Sequence, residues 1–162
     1  MKVAIVGGGV MGCATALALA DRGVDAVVLE RAVPGAEASS AAAGMLGAQA
    51  ELHARPRAED AALMVRAREA WGHWANELRD VTGIDVGYRV TGILRLAFDE
   101  AELAALAHEV TWQQSLGLRA ALLGAAEAHE IEPMLAPSVL GAASYPDDGQ
   151  VDPPALLRAL VT

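Results

Sequence analysis

The sequence predicts an α/β protein that opens with a parallel βαβ unit and continues into a mixed α+β segment. Three observations predict it. A short β-branched apolar run, Val3–Val6, leads into the glycine-rich stretch Gly7-Gly8-Gly9-Val10-Met11-Gly12. An alanine- and leucine-rich helical stretch then leads to a second apolar run, Val24–Leu29, which finishes at Glu30. From Gly87 onward the apolar period switches from that of a helix to that of a strand and back.

Val3–Val6 suits a buried parallel strand. The glycine stretch fits G-x-G-x-x-G, and each glycine has a physical reason. Gly7 permits a tight strand-to-helix turn, Gly9 lets a pyrophosphate approach the backbone, and Gly12 lets the helix pack close to the strand. The helix, read over Cys13–Arg22 with Gly23 as its C-cap, offers free N–H groups and a positive dipole end to phosphate. Glu30 stands at a strand end, where a carboxylate accepts hydrogen bonds from ribose hydroxyls. This Rossmann-type pattern suits the ADP half of FAD or a related dinucleotide. Its candidate residues are Gly7, Gly9, Gly12 and Glu30. Glu30 disfavours a 2′-phosphate, whereas Arg31 beside it leaves NADP open.

After a loop from Arg31 to Glu37, small residues dominate from Ala38 to Glu51. Small side chains let a backbone lie flat against a planar ligand or a diphosphate. Ser39 and Ser40 are expected to cap a short helix and to donate to phosphate.

The run Ser40-Ala41-Ala42-Ala43-Gly44-Met45-Leu46-Gly47-Ala48, followed by Ala50-Glu51, resembles the D-amino-acid oxidase superfamily of FAD-dependent amine oxidoreductases. It is most similar to the glycine oxidase branch, associated with thiamine biosynthesis. Asp148-Gly149-Gln150-Val151-Asp152-Pro153 resembles the family's return crossing into its FAD domain. The resemblance runs the length of the chain and matches about the N-terminal half of such an enzyme. It implies FAD as cofactor and a small amine or amino acid as substrate. It further implies that Gly7, Gly9, Val10, Met11 and Gly12 surround the pyrophosphate, that Glu30 and Arg31 meet the adenosine end, that Ala38 and Ser39 lie along the ribityl-phosphate, and that Ala43, Gly44 and Met45 lie beside the isoalloxazine ring. Core packing is the plainer expectation for Met45 and Leu46. Residues 1–82 would be the first part of the FAD-binding domain, 83–146 part of the substrate domain, and 147–162 a return helix. The family's substrate-carboxylate arginine and flavin-covering aromatics belong to its later half, so no catalytic residue is assigned. A missing C-terminal half or a second chain is implied as a partner. Related readings are a sarcosine, D-amino-acid or glycerol-3-phosphate oxidoreductase, or a non-catalytic dinucleotide-binding fragment.

The middle of the chain is read element by element. Arg57 to Arg79 is one helix, with Met64, Ala67, Trp71, Trp74 and Leu78 as its buried stripe. Gly87 to Phe98 is a strand whose buried face holds Val90, Gly92, Leu94, Leu96 and Phe98. Asp99 caps a helix reaching Ser115, with Leu103, Leu106 and Val110 inward. A strand near Arg119 to Leu123, a helical turn from Ala125 to Glu130 and a strand from Val139 to Tyr145 follow, and Pro153 opens a last helix. Asp147, Asp148 and Asp152 are read as turn and capping residues.

Composition narrows the function classes. The chain has 162 residues, 54% of them hydrophobic, and a net charge of −9. The charge argues against nucleic-acid binding, which needs a basic face. The single cysteine, Cys13, can make no internal disulfide and is expected as a buried filler. His53 and His73 lack partners at ligand spacing, so no metal site is expected. No apolar run reaches the ~20 residues of a membrane span, and a soluble, cytoplasmic protein is expected. With only two parallel strands, its apolar sheet is expected to remain partly uncovered.

Overall fold

The computed structural model describes residues 1–52 and 58–162. Its elements are β1 (Lys2–Val6), α1 (Val10–Ala20), β2 (Asp25–Leu29), β3 (Met45–Leu46), α2 (Ala58–Thr82), β4 (Ile93–Ala97), α3 (Glu100–Ser115), β5 (Ala121–Gly124), α4 (Ala125–Ile131), β6 (Gly141–Tyr145), β7 (Gly149–Gln150) and α5 (Pro153–Val161). They form two compact units. The first comprises Met1–Gly44, Trp71–Tyr88 and Val151–Thr162, the second Met45–Ala70 and Arg89–Gln150.

In the first unit β1 and β2 pair in parallel, from Lys2↔Asp25 to Val6↔Leu29. The crossover is α1, which begins at Val10, inside the glycine motif and three residues before Cys13. It ends as the sequence predicts. Gly23 has a φ of +69°, its N–H bonds to Ala20 O, and Val24 N–H bonds to Leu19 O. These bonds form a Schellman closure that satisfies the last carbonyls of the helix. Strand alternation puts Val3, Ile5, Ala26 and Val28 on the more buried face. The other face is open, with Val6 87% and Leu29 54% exposed. α5 starts at Pro153, and the Asp152 carboxylate accepts Ala155 N–H at 3.0 Å. Ala155, Leu156, Leu157 and Ala159 form its buried face.

α2 departs from the expected stripe. Ala67 is exposed and Arg68 is buried in its place. The buried positions are Ala61, Arg68, Ala75 and Leu78, with Met64, Trp71 and Trp74 half-buried. Apolar pattern alone ranks alanine above arginine. The structure reverses them because the arginine has polar partners to meet. Trp71 meets Trp74 edge-on at 4.9 Å and stacks on Tyr88 at 6.3 Å, centroid to centroid. Arg57, where the helix was expected to start, lies outside the described residues, as does His53.

The second unit is built on an antiparallel sheet with strand order β4-β6-β5. Its core joins Ala50, Ala97, Leu106, Val110, Ala143 and Tyr145, with Ile93 and Leu103 against them. α3 supplies Leu106 and Val110 and is capped by Asp99, whose carboxylate accepts Glu102 N–H at 2.8 Å. The expected inward face of β4 is corrected. Ile93 and Ala97 face the core, Leu94 and Leu96 are only half-buried, and Val90 and Phe98 are exposed. The strand is also shorter than predicted, because Gly92 at φ +73° breaks the extended backbone before it. Ser39 and Ser40 open no helix of their own, since residues 34–41 form turns. Among the described residues, no helix is long and apolar enough to cross a membrane. Among the same residues, no group of three or more His, Cys, Asp and Glu is arranged to hold a metal ion.

Candidate dinucleotide-binding site

The glycine motif, Glu30 and Ser39 come together in the first unit. Gly7 turns the chain out of β1 with a φ of +103°, and its N–H bonds to Leu29 O at 2.9 Å. The chain then enters α1 with almost no room to spare. A Cβ on Gly12 would stand 1.9 Å from Gly7 O, so the first and third motif glycines determine one another.

The first turn of α1 carries the free donors. Val10 N–H is taken by Ser39 Oγ at 3.0 Å, and Cys13 N–H by Gly9 O at 3.0 Å. The amides of Met11 and Gly12 make no hydrogen bond among the described residues. Unbonded N–H groups at a helix N-terminus suit an anion. Met11 is exposed, so its amide is not walled off by its own side chain.

Glu30 lies where β2 ends. Its Oε2 accepts Gly8 N–H at 2.8 Å and its Oε1 accepts Ala32 N–H at 3.0 Å. These two amides, the Gly8 bond foremost, hold its carboxyl below the usual carboxylate range. A carboxylate has about four acceptor sites, so lone pairs remain for a diol. Arg31 instead turns its guanidinium to Glu37, with Nε 3.1 Å from Oε1, in an exposed pair.

Cys13 is buried behind this loop, and its thiol donates to Gly8 O at 3.3 Å. Burial, then the nearby Glu30 charge, pushes the thiol pKa up. It is a packing group here rather than a nucleophile.

The small-residue segment is held by backbone as well. Ser40 Oγ donates to Glu37 O at 2.9 Å. Ala38, Ala41, Ala42 and Ala43 are exposed. Gly44, at φ +81°, accepts Val151 N–H at 2.9 Å, and a Cβ there would lie 2.1 Å from Val151 O. Met45 belongs to the second unit, in β3, and is 59% exposed. Core packing therefore does not explain it, whereas Leu46 is half-buried.

Two features escaped sequence reasoning. Gly8, the x of the motif, supplies the amide that fixes Glu30, and three consecutive glycines were its only signal. Asp148 was read as a turn residue, yet it is fully buried and accepts the backbone N–H groups of Gln49 and Ala50. Nothing in its local sequence separates it from its neighbour Asp147.

Comparison with known proteins gives consistent results. Residues 2–162 match the family described as FAD dependent oxidoreductase (DAO). The chain is similar to the glycine oxidase of Geobacillus kaustophilus (strain HTA426), 43% identical over 159 residues, covering 98% of this chain and 42% of that relative. It is also similar to the bifunctional protein ThiO/ThiG of Trichormus variabilis, 37% identical over 159 residues, covering 98% of this chain and 23% of that relative. Among solved structures, glycine oxidase from Geobacillus kaustophilus superposes with a TM-score of 0.90 at 41% identity, covering 98% of this chain and 43% of that one. L-proline dehydrogenase from P. horikoshii superposes with a TM-score of 0.82 at 26% identity, covering 98% and 40%. The chain thus spans less than half the length of the relatives it matches.

Proposed function

Since the chain belongs to the family of FAD dependent oxidoreductases, we propose that it is the N-terminal portion of an amine oxidoreductase resembling glycine oxidase, holding the ADP half of FAD in its first unit. One observation carries the reading. Two amides with no hydrogen bond among the described residues, those of Met11 and Gly12, open α1, while an ionised carboxylate, Glu30, ends the adjacent strand. A diphosphate needs the first and a ribose diol the second.

In this reading Gly7, Gly9, Val10, Met11 and Gly12 surround the pyrophosphate, and Glu30 and Arg31 meet the adenosine end. Ala38 and Ser39 follow the ribityl-phosphate, and Ala43, Gly44 and Met45 meet the ring. The likeness to glycine oxidase supports these roles, and so does the exposure of Ala38, Ala43 and Met45. The first compact unit is then the FAD-binding part, and the second carries the start of the substrate domain. A cytoplasmic location belongs to the same reading, in keeping with a single cysteine in these residues.

When bound, FAD supplies the redox chemistry, taking hydride from a small amine such as glycine and yielding the electrons to dioxygen. The described residues bind and orient, and none is assigned to proton transfer. Turnover requires further polypeptide, in the same chain or a second one, to hold the substrate carboxylate.

The test is a visible absorption spectrum of the purified chain after incubation with FAD and gel filtration. Flavin bands eluting with the protein are expected. Protein that elutes folded but colourless sinks the cofactor reading.

A further inference from the structure

The second unit buries a charged pair to which the proposed chemistry gives no task. Asp148 is fully buried. Its Oδ2 accepts Gln49 N–H at 3.0 Å and Ala50 N–H at 2.8 Å. Its Oδ1 receives Arg68 Nη1 at 3.2 Å. Arg68 is itself buried, and the same Nη1 lies 2.5 Å from Gln49 Oε1. Gln49 Nε2 donates to Gln113 Oε1 and to Arg119 O, both at 3.0 Å. Gln113 Nε2 returns a bond to Gln49 O at 3.0 Å. Asp147 stands 4.0 Å from Arg68 Nη2 and is engaged by the Arg119 guanidinium, Nε to Oδ2 at 3.0 Å.

Burying ions costs stability unless they are paired and hydrogen-bonded, and apolar groups of the same size often pack as well. What this pair can specify lies in where its partners sit. Asp148 immediately precedes β7, and Gln49 and Ala50 stand shortly after β3. These strands form an antiparallel ladder of two residue pairs, Met45↔Gln150 and Leu46↔Gly149. Val151 N–H to Gly44 O continues the pairing, and β7 is bridged on its other side to Arg89. β3 itself is short, and a slip of one residue would turn each of its side chains to the opposite face. Met45 would then lose its exposed position to Leu46. A carboxylate that takes two successive amides at once, itself oriented by a guanidinium, adds to those backbone bonds a contact that only one register of β3 satisfies.

We infer that Arg68 and Asp148 are positioning residues that lock the register of the β3–β7 ladder and thereby keep the Met45 side chain outward, available to a flavin ring. The register lock stands on the geometry alone. Only the link to flavin rests on the proposed function.

Amide hydrogen exchange on the intact chain tests the lock, comparing R68M, R68K and D148N with the parent protein. In R68M and D148N the amides of residues 45–50 and 149–150 should exchange about tenfold faster or more, while those of β1, β2 and β6 keep their protection. R68K, which retains a donor and a charge, should restore protection in part. Unchanged exchange in 45–50 overturns the lock. So does a uniform loss of protection through β6, which marks an ordinary stability role. A second arm uses FAD titration followed by visible circular dichroism of the bound flavin, which senses the ring's surroundings. R68M should alter that signal and R68K should recover it. If R68M loosens the ladder but leaves the flavin signal unchanged, the link to Met45 is wrong. If the parent chain binds no FAD, the proposed function fails, and hydrogen exchange still decides the lock.

Discussion

Ser39 Oγ accepts the backbone N–H of Val10 at 3.0 Å, across 29 residues of sequence. A serine expected to cap a helix of its own instead caps the first turn of α1 from outside. It ties the small-residue segment to the glycine motif and leaves its own hydroxyl proton free for another acceptor. S39A should therefore cost about 1 kcal/mol of stability, as for loss of an N-cap, and should weaken FAD binding as well. S39T should retain both. Urea unfolding and flavin fluorescence titration separate the two effects, and an S39A variant with undiminished affinity would remove Ser39 from the site.

Glu30 supplies a pH dependence whose sign follows from its depressed pKa. The Gly8 and Ala32 amides favour its ionised form, so its contribution is present above the unfolded pKa, about 4.3. That contribution is lost as pH falls through the lower folded value. In E30Q this component should be absent. Melting temperatures of the two proteins should differ near neutrality and converge as the medium becomes acidic below about pH 4. A difference independent of pH contradicts the assignment.

Gly12 and Gly44 are closed to any side chain, for different reasons. In G12A the new methyl would be driven into Gly7 O, 1.9 Å away. Overpacking of this kind typically costs about 1–3 kcal/mol, and the tight turn into α1 must open. G44A meets Val151 O at 2.1 Å and also carries φ +81°, so it should be at least as damaging. Denaturant midpoints rank them. A G12A protein as stable as the parent would show that the turn relaxes freely.

Tyr145 is fully buried, and its hydroxyl makes no hydrogen bond of good geometry among the described residues, although the Arg95 guanidinium lies near it. Leaving a buried hydroxyl unmet costs about 1–3 kcal/mol. Y145F keeps the ring in the core and removes that cost, so it should be neutral or stabilising by up to about 1 kcal/mol. A clear loss of stability in Y145F would show that Arg95 is a true partner of the hydroxyl.

The parts of the fold that were legible in the sequence are those governed by local rules. The glycine turn, Gly23 and the Asp99 cap each act within a few residues, and each appears as read, while Val3–Val6 forms its parallel strand but is open on one face rather than buried. The parts that were not legible depend on partners far along the chain. Arg68 sits on the inward stripe of α2 because Asp148 and Gln49 wait there, 80 and 19 residues away. Ala67 beside it fits an apolar stripe better until those partners are known. The inward face of β4 was misread because Leu94 and Leu96 are bulkier than Ala97, yet α3 leaves room for alanine against Leu106 and Val110. Of the candidate site, the motif glycines and Glu30 converge because one βαβ crossover brings them together. Ser39 reaches them from a turn that its own sequence does not specify.

The pairing of Gln49 with Asp148 also bears on the order in which the molecule forms. Those residues are 99 apart, whereas β1 reaches β2 across a single helix, from Lys2 to Asp25. The entropy of closing a loop grows with the logarithm of its length, so the longer closure costs about 1 kcal/mol more before any contact repays it. The βαβ crossover is therefore the natural early nucleus, and the two-pair ladder beside Met45 a late addition. A chain released from the ribosome would present a formed glycine-rich turn before it had a finished β3–β7 ladder. On the proposed cofactor reading, nucleotide capture by that early turn would precede the last closure.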